Sequence, residues 1–420
     1  MLFKKWNLIL ICLIFSLPVL SQSKSVVSGT ITNGENKEPL PYASITLVNY
    51  PIGTISNEEG EFDFYIPKSK RKDTLSISFI GFYPYLIPLK NINGALQIKL
   101  RPADNILDEV ILTQLSALDY IKKALENLDQ NYPQDPYQSV AYYREKFIEN
   151  DIIIKKVEAV FKTYYPTRVD SAKNQHQLVL YKPAQNPQKF QFMREWIEKM
   201  EAKEKKKAIK NGEEVDEEDY DGDIDFNLGG PDSVLYLDIH QNNDNFLNPK
   251  YFKKYTYNFG EETSLNGEKL VTINFRAKKT IDYIKDSGKI LISKETYAII
   301  LIEAKGKAKI PVAVKPILFI IGLSITNPTF TKTVSYQKFQ EKWYPSLFRW
   351  DANVKLKKRH MFKRNEHSAI NIGQVFLINK IDSMANSIPE SKRFESNEDM
   401  GDQVYNDMGM KWEGLNVIKD

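Results

Sequence analysis

Short runs in which apolar and polar residues alternate recur along most of this 420-residue chain. In the run EFDFYI, Phe62, Phe64 and Ile66 fall on one side of an extended segment, and Gly60 precedes them at a tight turn. Successive side chains of a strand point to opposite faces, so this pattern predicts strands with one buried face. We therefore predict a β-rich protein, in which the acidic segment 57–60 is a solvated hairpin turn rather than a calcium or ligand site.

Turn signals divide the chain into unequal parts. Residues 25–112 contain only short alternating runs separated by Gly, Pro and Asn, which predicts a small all-β sandwich. Residues 113–381 begin with an amphipathic helical pattern and continue with hairpin-length runs, which predicts an α+β domain with a large antiparallel sheet. Within this domain we expect an acidic linker at 203–232. After the domain we expect a polar mobile tail at 382–420, in which Trp412 and Leu415 could dock.

The amino terminus has the pattern of a signal peptide over residues 1–21. A basic start precedes an apolar run that is shorter than the roughly 20 residues of a spanning helix. Cys12 is the only cysteine and lies in this run, so the mature chain has no disulfide and no thiolate metal site. We expect an exported protein, periplasmic or associated with the outer membrane, with no membrane-spanning segment after cleavage. An uncleaved anchor is the alternative.

Composition and motifs argue against several classes of function. With 58 Lys and Arg against 54 Asp and Glu, the net charge of +4 is too small to indicate a nucleic-acid binder. None of the four histidines lies in a His-x-x-Glu or His-Glu-x-x-His pattern, and no Gly-x-Ser-x-Gly, P-loop or Rossmann motif occurs. The calcium-loop pattern at 217–228 lacks its acidic twelfth ligand, so we interpret it as a solvated acidic linker, with weak calcium binding as the alternative. We therefore predict no catalytic residue, no cofactor and no metal site.

The segment 310–328 is the most apolar part of the mature chain, and Pro311, Lys315 and Pro316 make it too short to span a bilayer. One interpretation is a buried connection that covers a face of the sheet. The other is an apolar flap over a ligand cavity, or a patch that contacts a membrane. The candidate contact residues for an apolar ligand or a membrane are Ile317, Leu318, Phe319, Ile320 and Ile321.

The first part of the chain resembles the carboxypeptidase regulatory-like domain. Three pieces of that family's pattern are present: SGTI at 28–31, PYASI at 41–45, and GTISNEEGEF at 53–62. The resemblance implies a seven-stranded, transthyretin-like sandwich, often found at the amino terminus of outer-membrane receptors and related exported proteins of Gram-negative bacteria. It implies a scaffold or interaction module. The metallopeptidase that the family name suggests lacks its zinc ligands here.

The second part resembles an uncharacterised region that often follows this sandwich in exported bacterial proteins. Its strand pairs at 268–277 and 288–306 are also similar to those of LolA-like lipoprotein carriers, in which a curved antiparallel sheet wraps a helix and binds acyl chains. The segment 109–112, EVIL, resembles the TonB contact of outer-membrane receptors. The remaining chain is too short for a plug and a barrel of about 22 strands, so we interpret this segment as a strand or linker.

These observations favour a non-enzymatic exported protein of the cell envelope. It would act as a scaffold or binding module, with envelope proteins or an apolar ligand as partners and no nucleic acid. Two alternatives stay open: an accessory partner of a TonB-type receptor complex, and a hydrolase with an unrecognised site. Convergent carboxylates or a histidine pair in one cleft would favour the hydrolase.

Overall fold

The computed structural model describes residues 25–103, 115–166, 173–183, 188–211, 228–241, 244–326, 328–413 and 415–419. Three sequence interpretations fall outside these residues: the signal peptide at 1–21, the TonB-like segment at 109–112, and the calcium-loop pattern at 217–228 except its last residue.

The first part of the chain is a sandwich of two sheets, as predicted. Its seven strands are β1 Ser25–Asn33, β2 Ser44–Leu47, β3 Gly53–Ile55, β4 Glu61–Ile66, β5 Thr74–Ser78, β6 Tyr85–Pro88 and β7 Leu96–Leu100. One sheet has the order β4-β1-β7 and the other β3-β2-β5-β6. Strands β1 and β7 are parallel, and the other pairs are antiparallel. The apolar faces of the two sheets form one core.

Phe62, Phe64 and Ile66 are buried in this core, as the alternation predicted. The segment 57–60 is a tight turn, but the prediction of a hairpin was wrong, because β3 and β4 belong to different sheets. Asn57 shapes the turn, since its side-chain oxygen accepts hydrogen bonds from the backbone of Glu59 (3.1 Å) and Glu61 (2.7 Å). Gly60 has φ +76°, a conformation that favours glycine.

The second part is built on a twelve-stranded antiparallel sheet. Its strands are β8 Tyr137–Glu149, β9 Ile152–Tyr165, β10 Gln175–Lys182, β11 Tyr255–Phe259, β12 Thr263–Leu265, β13 Glu268–Ala277, β14 Ile284–Ser293, β15 Ile299–Ala308, β16 Leu323–Ile325, β17 Thr329–Phe339, β18 Lys342–Lys358 and β19 Glu366–Asp382. The order is β10-β9-β8-β19-β18-β17-β15-β14-β13-β11, while β12 pairs with β13 and β16 with β18. Strand β19, the last strand in the sequence, therefore lies between β8 and β18.

Helices other than the last one pack on one face of this sheet. The described helices are α1 Ala117–Glu126, α2 Leu128–Asn131, α3 Arg194–Asn211, α4 Gly230–Leu235 and α5 Lys315–Ile320. Helix α1 begins with a capping box between Ser116 and Asp119. Its buried face, with α4, packs on large side chains of the sheet such as Phe161, Phe348 and Phe376. Most buried apolar residues of the sheet belong to this face, although Glu145 and Gln374 are buried here as well, and the opposite face is the more polar of the two.

Two segment predictions need correction. The linker expected at 203–232 is partly helical, because 203–211 form the end of α3 and α4 begins at Gly230. The segment 382–420, expected to be a mobile tail, packs against the sheet. Its backbone bonds to strand β10, where Phe394 N donates to His176 O (2.7 Å) and Tyr405 N to Leu178 O (2.8 Å). A few apolar residues spaced among polar ones are enough to cover this edge strand.

The sandwich packs on the polar face of the large sheet. Ile55 is buried with Tyr142, Leu347 and Val375 of strands β8, β18 and β19. Backbone hydrogen bonds join the two parts at separate places, from Ile381 N to Pro51 O (3.1 Å) and from Gly81 N to Ser264 O (2.9 Å). The sandwich therefore contacts the second part of the chain at both β19 and β12.

Arg349 on β18 is the main polar contact between the two parts. Its guanidinium donates to Tyr42 Oη and to Asp351 Oδ2 (2.7 Å), and lies 3.6 Å from Glu58 Oε1. Tyr42 Oη in turn donates to Glu58 Oε1 (2.9 Å). Burial raises the pKa of Tyr42 to about 12; the positive charge of Arg349 opposes this rise, and the Glu58 carboxylate adds to it.

We expect removal of Ile418 to destabilise the fold. Its side chain is buried against Tyr142 and Leu347, so Ile418→Ala should lower the free energy of unfolding by about 2–5 kcal/mol. Val404→Ala is the matched control, because Val404 lies in the same carboxy-terminal segment with its side chain exposed. Urea denaturation measures both. Equal, small effects would mean that the segment does not dock in solution.

The Tyr42 contact predicts a specific loss of stability at high pH. The folded pKa is above the unfolded value near 10, so the stabilisation is complete below pH 10 and is lost as the pH rises through about 12. As the pH rises across this interval, the free energy of unfolding of Tyr42→Phe should therefore fall less than that of the parent. Tyr85→Phe, at an exposed site of the sandwich, serves as the control. Parallel pH curves for parent and Tyr42→Phe would contradict the assignment.

Candidate functional site

The predicted contact residues lie on a projection between strands β15 and β17. Ile317 is 60% exposed, Phe319 74% and Ile320 81%, while Ile321 is exposed and Leu318 half-buried. The interpretation of 310–328 as a buried connection was therefore wrong. Apolar runs are usually buried because a neighbouring element covers them, and no described element covers these side chains.

A second turn extends this exposed apolar surface. The turn between β18 and β19 starts beside the projection, where Arg359 N donates to Gly322 O (2.8 Å), and it carries Met361 (89% exposed) and Phe362 (95% exposed). We call the exposed apolar residues of both segments the apolar tip. Its members are Val312, Val314, Ile317, Phe319, Ile320, Ile321, Met361 and Phe362.

Hydrogen bonds hold the projection onto the end of the sheet. Strand β16 pairs with β18, and Lys358 Nζ donates to Ile321 O. At the base, Ala308 N donates to Pro328 O (2.8 Å) and Lys309 N to Tyr283 O (2.7 Å). The apolar side chains are therefore presented by an ordered hairpin with a short helix, α5, at its end.

Basic residues surround the apolar tip. Lys309, Lys315, Arg359 and Arg364 are exposed and make no ion pair with any residue that the structure describes. Lys363 pairs with Glu195 on α3 at 2.6 Å. The sequence contains no Asp or Glu between Glu303 and Glu341. This end of the molecule is thus both apolar and positively charged.

A large cleft lies on the polar face of the sheet, beside the sandwich. It has a volume of about 1230 Å³, and Tyr42, Asn57 and Glu58 of the sandwich form part of its wall. Nine of its lining residues are Lys or Arg and four are Asp or Glu. We call this the cationic cleft. Sequence reasoning missed it, because alternation marks polar positions in each strand but does not say which strands become neighbours.

The acidic residues of this cleft are mostly engaged. Asp286 accepts a hydrogen bond from Tyr255 Oη (2.7 Å), and burial raises the pKa of its carboxyl. Asp351 and Glu58 contact Arg349. The cleft therefore keeps an excess of positive charge.

The described part of the chain contains no cluster of candidate metal ligands: among its residues, no group of three or more His, Cys, Asp or Glu side chains could hold a metal ion. Three of the histidines each contact one carboxylate: His176 with Asp232 (3.1 Å), His240 with Asp238 (2.9 Å) and His360 with Glu366 (2.6 Å). These pairs lie apart from the cationic cleft, whose lining contains no histidine.

Among the described residues, no helix has the length and apolar character needed to cross a bilayer.

Solved structures with some likeness to this chain come from three bacteria. They are a domain from Vibrio parahaemolyticus described as an outer-membrane lipoprotein-sorting protein (8% identity, TM-score 0.24, 65% of this chain and 95% of that one), a LolA superfamily protein from Nitrosomonas europaea (9%, 0.19, 66% and 96%) and a DUF1329 family protein from Desulfovibrio piger (11%, 0.22, 65% and 95%). Identities and TM-scores this low establish no common fold.

A comparison with curated proteins finds no match. The family model described as CarboxypepD_reg-like domain matches residues 27–112, the part of the chain that forms the seven-stranded sandwich. This part, about a fifth of the chain, is therefore a CarboxypepD_reg-like domain.

Proposed function

We propose that this protein is a non-enzymatic, exported binding module of the cell envelope that docks on an anionic lipid surface through the apolar tip. The observation that carries the proposal is the coincidence, at one end of the sheet, of exposed apolar side chains with exposed basic side chains that make no ion pair among the described residues.

Apolar burial supplies one part of the binding free energy. Burying a Phe or Ile side chain gains roughly 1.5–3 kcal/mol relative to leaving it in water. Phe319, Ile320 and Phe362 are each more than 70% exposed, so they leave most of this free energy unused in the isolated protein. An ordered hairpin loses little conformational freedom on insertion, which favours docking through these residues.

Charge supplies the second part. A Lys or Arg close to an anionic membrane surface contributes about 1 kcal/mol. Lys309, Lys315, Arg359 and Arg364 all lie in the two segments that form the tip. Stable membrane anchoring commonly takes two such signals together, an apolar insertion and a basic patch.

The envelope location is the expectation that accompanies this function. The predicted signal peptide at 1–21 and the CarboxypepD_reg-like domain at 27–112 support export to the periplasm or the outer membrane. The sandwich packs on the polar face of the large sheet, and its exposed surface would contact envelope proteins.

Loss of two tip side chains should weaken membrane binding. We expect Phe319→Ser combined with Ile320→Ser to lower partitioning of the mature protein onto phosphatidylglycerol-containing vesicles at least about tenfold, because both side chains would insert. Vesicle co-sedimentation measures this. Leu86→Ser is the matched control, since Leu86 is an exposed apolar residue of the sandwich.

Vesicle composition separates the two contributions. Pure phosphatidylcholine vesicles should bind the parent more weakly than phosphatidylglycerol vesicles, and Lys315→Gln with Arg359→Gln should remove much of that difference.

If the tip variant and the Leu86→Ser control bind equally well, the tip is not the docking surface. If the protein instead extracts a single lysophospholipid in a one-to-one complex without binding vesicles, the tip holds an apolar ligand.

A further inference from the structure

We infer that the cationic cleft binds an anionic glycan, a sugar chain that carries carboxylate, sulfate or phosphate groups. This inference concerns a different surface from the apolar tip, and its test does not require the tip to bind a membrane. It rests on four residues, which we call the cationic cluster: Arg276, Lys285, Lys305 and Lys307.

The strand register brings the cluster together on one face. Lys305 lies directly opposite Ser287, and Ser287 directly opposite Arg276. Lys307 lies directly opposite Lys285. Directly opposed residues, and residues two apart in one strand, point to the same face of a sheet. The four side chains therefore all project from one face.

The pairing of Lys285 with Lys307 opposes folding. Like charges directly opposite each other on antiparallel strands destabilise the pair. The same two strands show the alternative nearby, where Lys289 opposite Glu303 forms an ion pair at 2.7 Å. The two lysines thus stay opposed at one end of this hairpin, although a matched ion pair lies further along it. An anion bound between them would relieve their repulsion, so we infer that they form part of an anion site.

The four cations are also available to a ligand. Each is exposed, and none of them makes an ion pair with any described residue. Anions that meet several fixed cations form charge-assisted hydrogen bonds, which are stronger than neutral ones.

The length of the charged surface favours a chain over a single ion. From Lys305 the row of opposed residues continues through Thr331, Asp351 and Gly373 to Lys146 on β8. Strands lie about 4.8 Å apart, so the row from β13 to β8 extends roughly 29 Å along the sheet. A free phosphate would occupy only a small part of it.

The chemistry of the lining favours a glycan over a nucleic acid. The row of opposed residues that starts at Lys307 continues through Thr329, Asn353 and Asn371, whose hydroxyl and amide side chains can bond to sugar hydroxyls. Single-stranded nucleic acids are held by aromatic platforms on which bases stack. Tyr42 and Phe330 are the aromatic residues of the lining, and the guanidinium of Arg349 lies over the ring of Tyr42 at 4.9 Å.

Isothermal titration of the mature protein with defined oligosaccharides tests the inference. A polygalacturonate decamer and a heparin-derived decasaccharide are the probes, with maltodecaose as the neutral control. We expect binding of at least one anionic probe, weakened by added salt, and no binding of maltodecaose. Lys305→Gln with Lys307→Gln should lower the affinity at least about tenfold. Competition by lipopolysaccharide would show that the natural glycan is linked to lipid.

The same double variant provides an internal check on folding. Because it removes a like-charge pair, its melting temperature should equal or exceed that of the parent, so lost binding is not lost folding. Lys72→Gln with Lys99→Gln removes the same charge from exposed sites of the sandwich and should leave binding unchanged.

Three outcomes would overturn the inference: no binding of either anionic probe, equal losses in the cluster and sandwich variants, or tighter binding of oligo-dT than of both probes. The tip variant Phe319→Ser with Ile320→Ser should still bind the oligosaccharide, so failure of the membrane proposal and failure of this one are distinguishable.

Discussion

The two-faced character of the large sheet governs the rest of the structure. Neighbouring residues of a strand point to opposite sides, so Tyr143 enters the core while Arg144 faces the sandwich, and Phe376 and Val375 divide in the same way. The helices and large aromatic side chains pack on the first face. The second face and the ends of the strands carry the exposed side chains that a ligand could contact. That division leads toward the cationic cleft and the apolar tip.

Much of the fold could be predicted because it depends on local pattern. The alternation of Phe62, Phe64 and Ile66 identified the buried face of β4, and the sequence motif indicated a seven-stranded sandwich. Order in space could not be predicted in this way. A hairpin was expected at 57–60 because the two strands are adjacent in sequence, yet they enter different sheets. Lys146 and Arg276 line one cleft only because β19 inserts between β8 and β18.

The candidate site also combines features that local sequence pattern predicted with features that depend on distant residues. Hydropathy singled out 317–321, but composition alone cannot distinguish an apolar segment that is covered from one that is exposed. The outcome depends on distant partners: Lys358 holds Ile321 at the end of β18, and no described element packs over Phe319. The carboxy-terminal segment gives the opposite case, because its polar composition concealed Phe394 and Ile418, which complete cores formed by strands far away in the sequence.

The two proposed surfaces are physically coupled through strand β15. Lys307 lies in the cationic cleft, and Lys309, two residues later, begins the projection that bears the apolar tip. Within the screening length of about 8 Å at physiological salt, these charges act as one field. Charge in the cleft therefore contributes to the approach of an anionic surface, whereas insertion depends on the tip side chains alone. A molecule docked by its tip would hold the nearby end of the cleft close to the surface, where glycans that extend from a membrane would enter it.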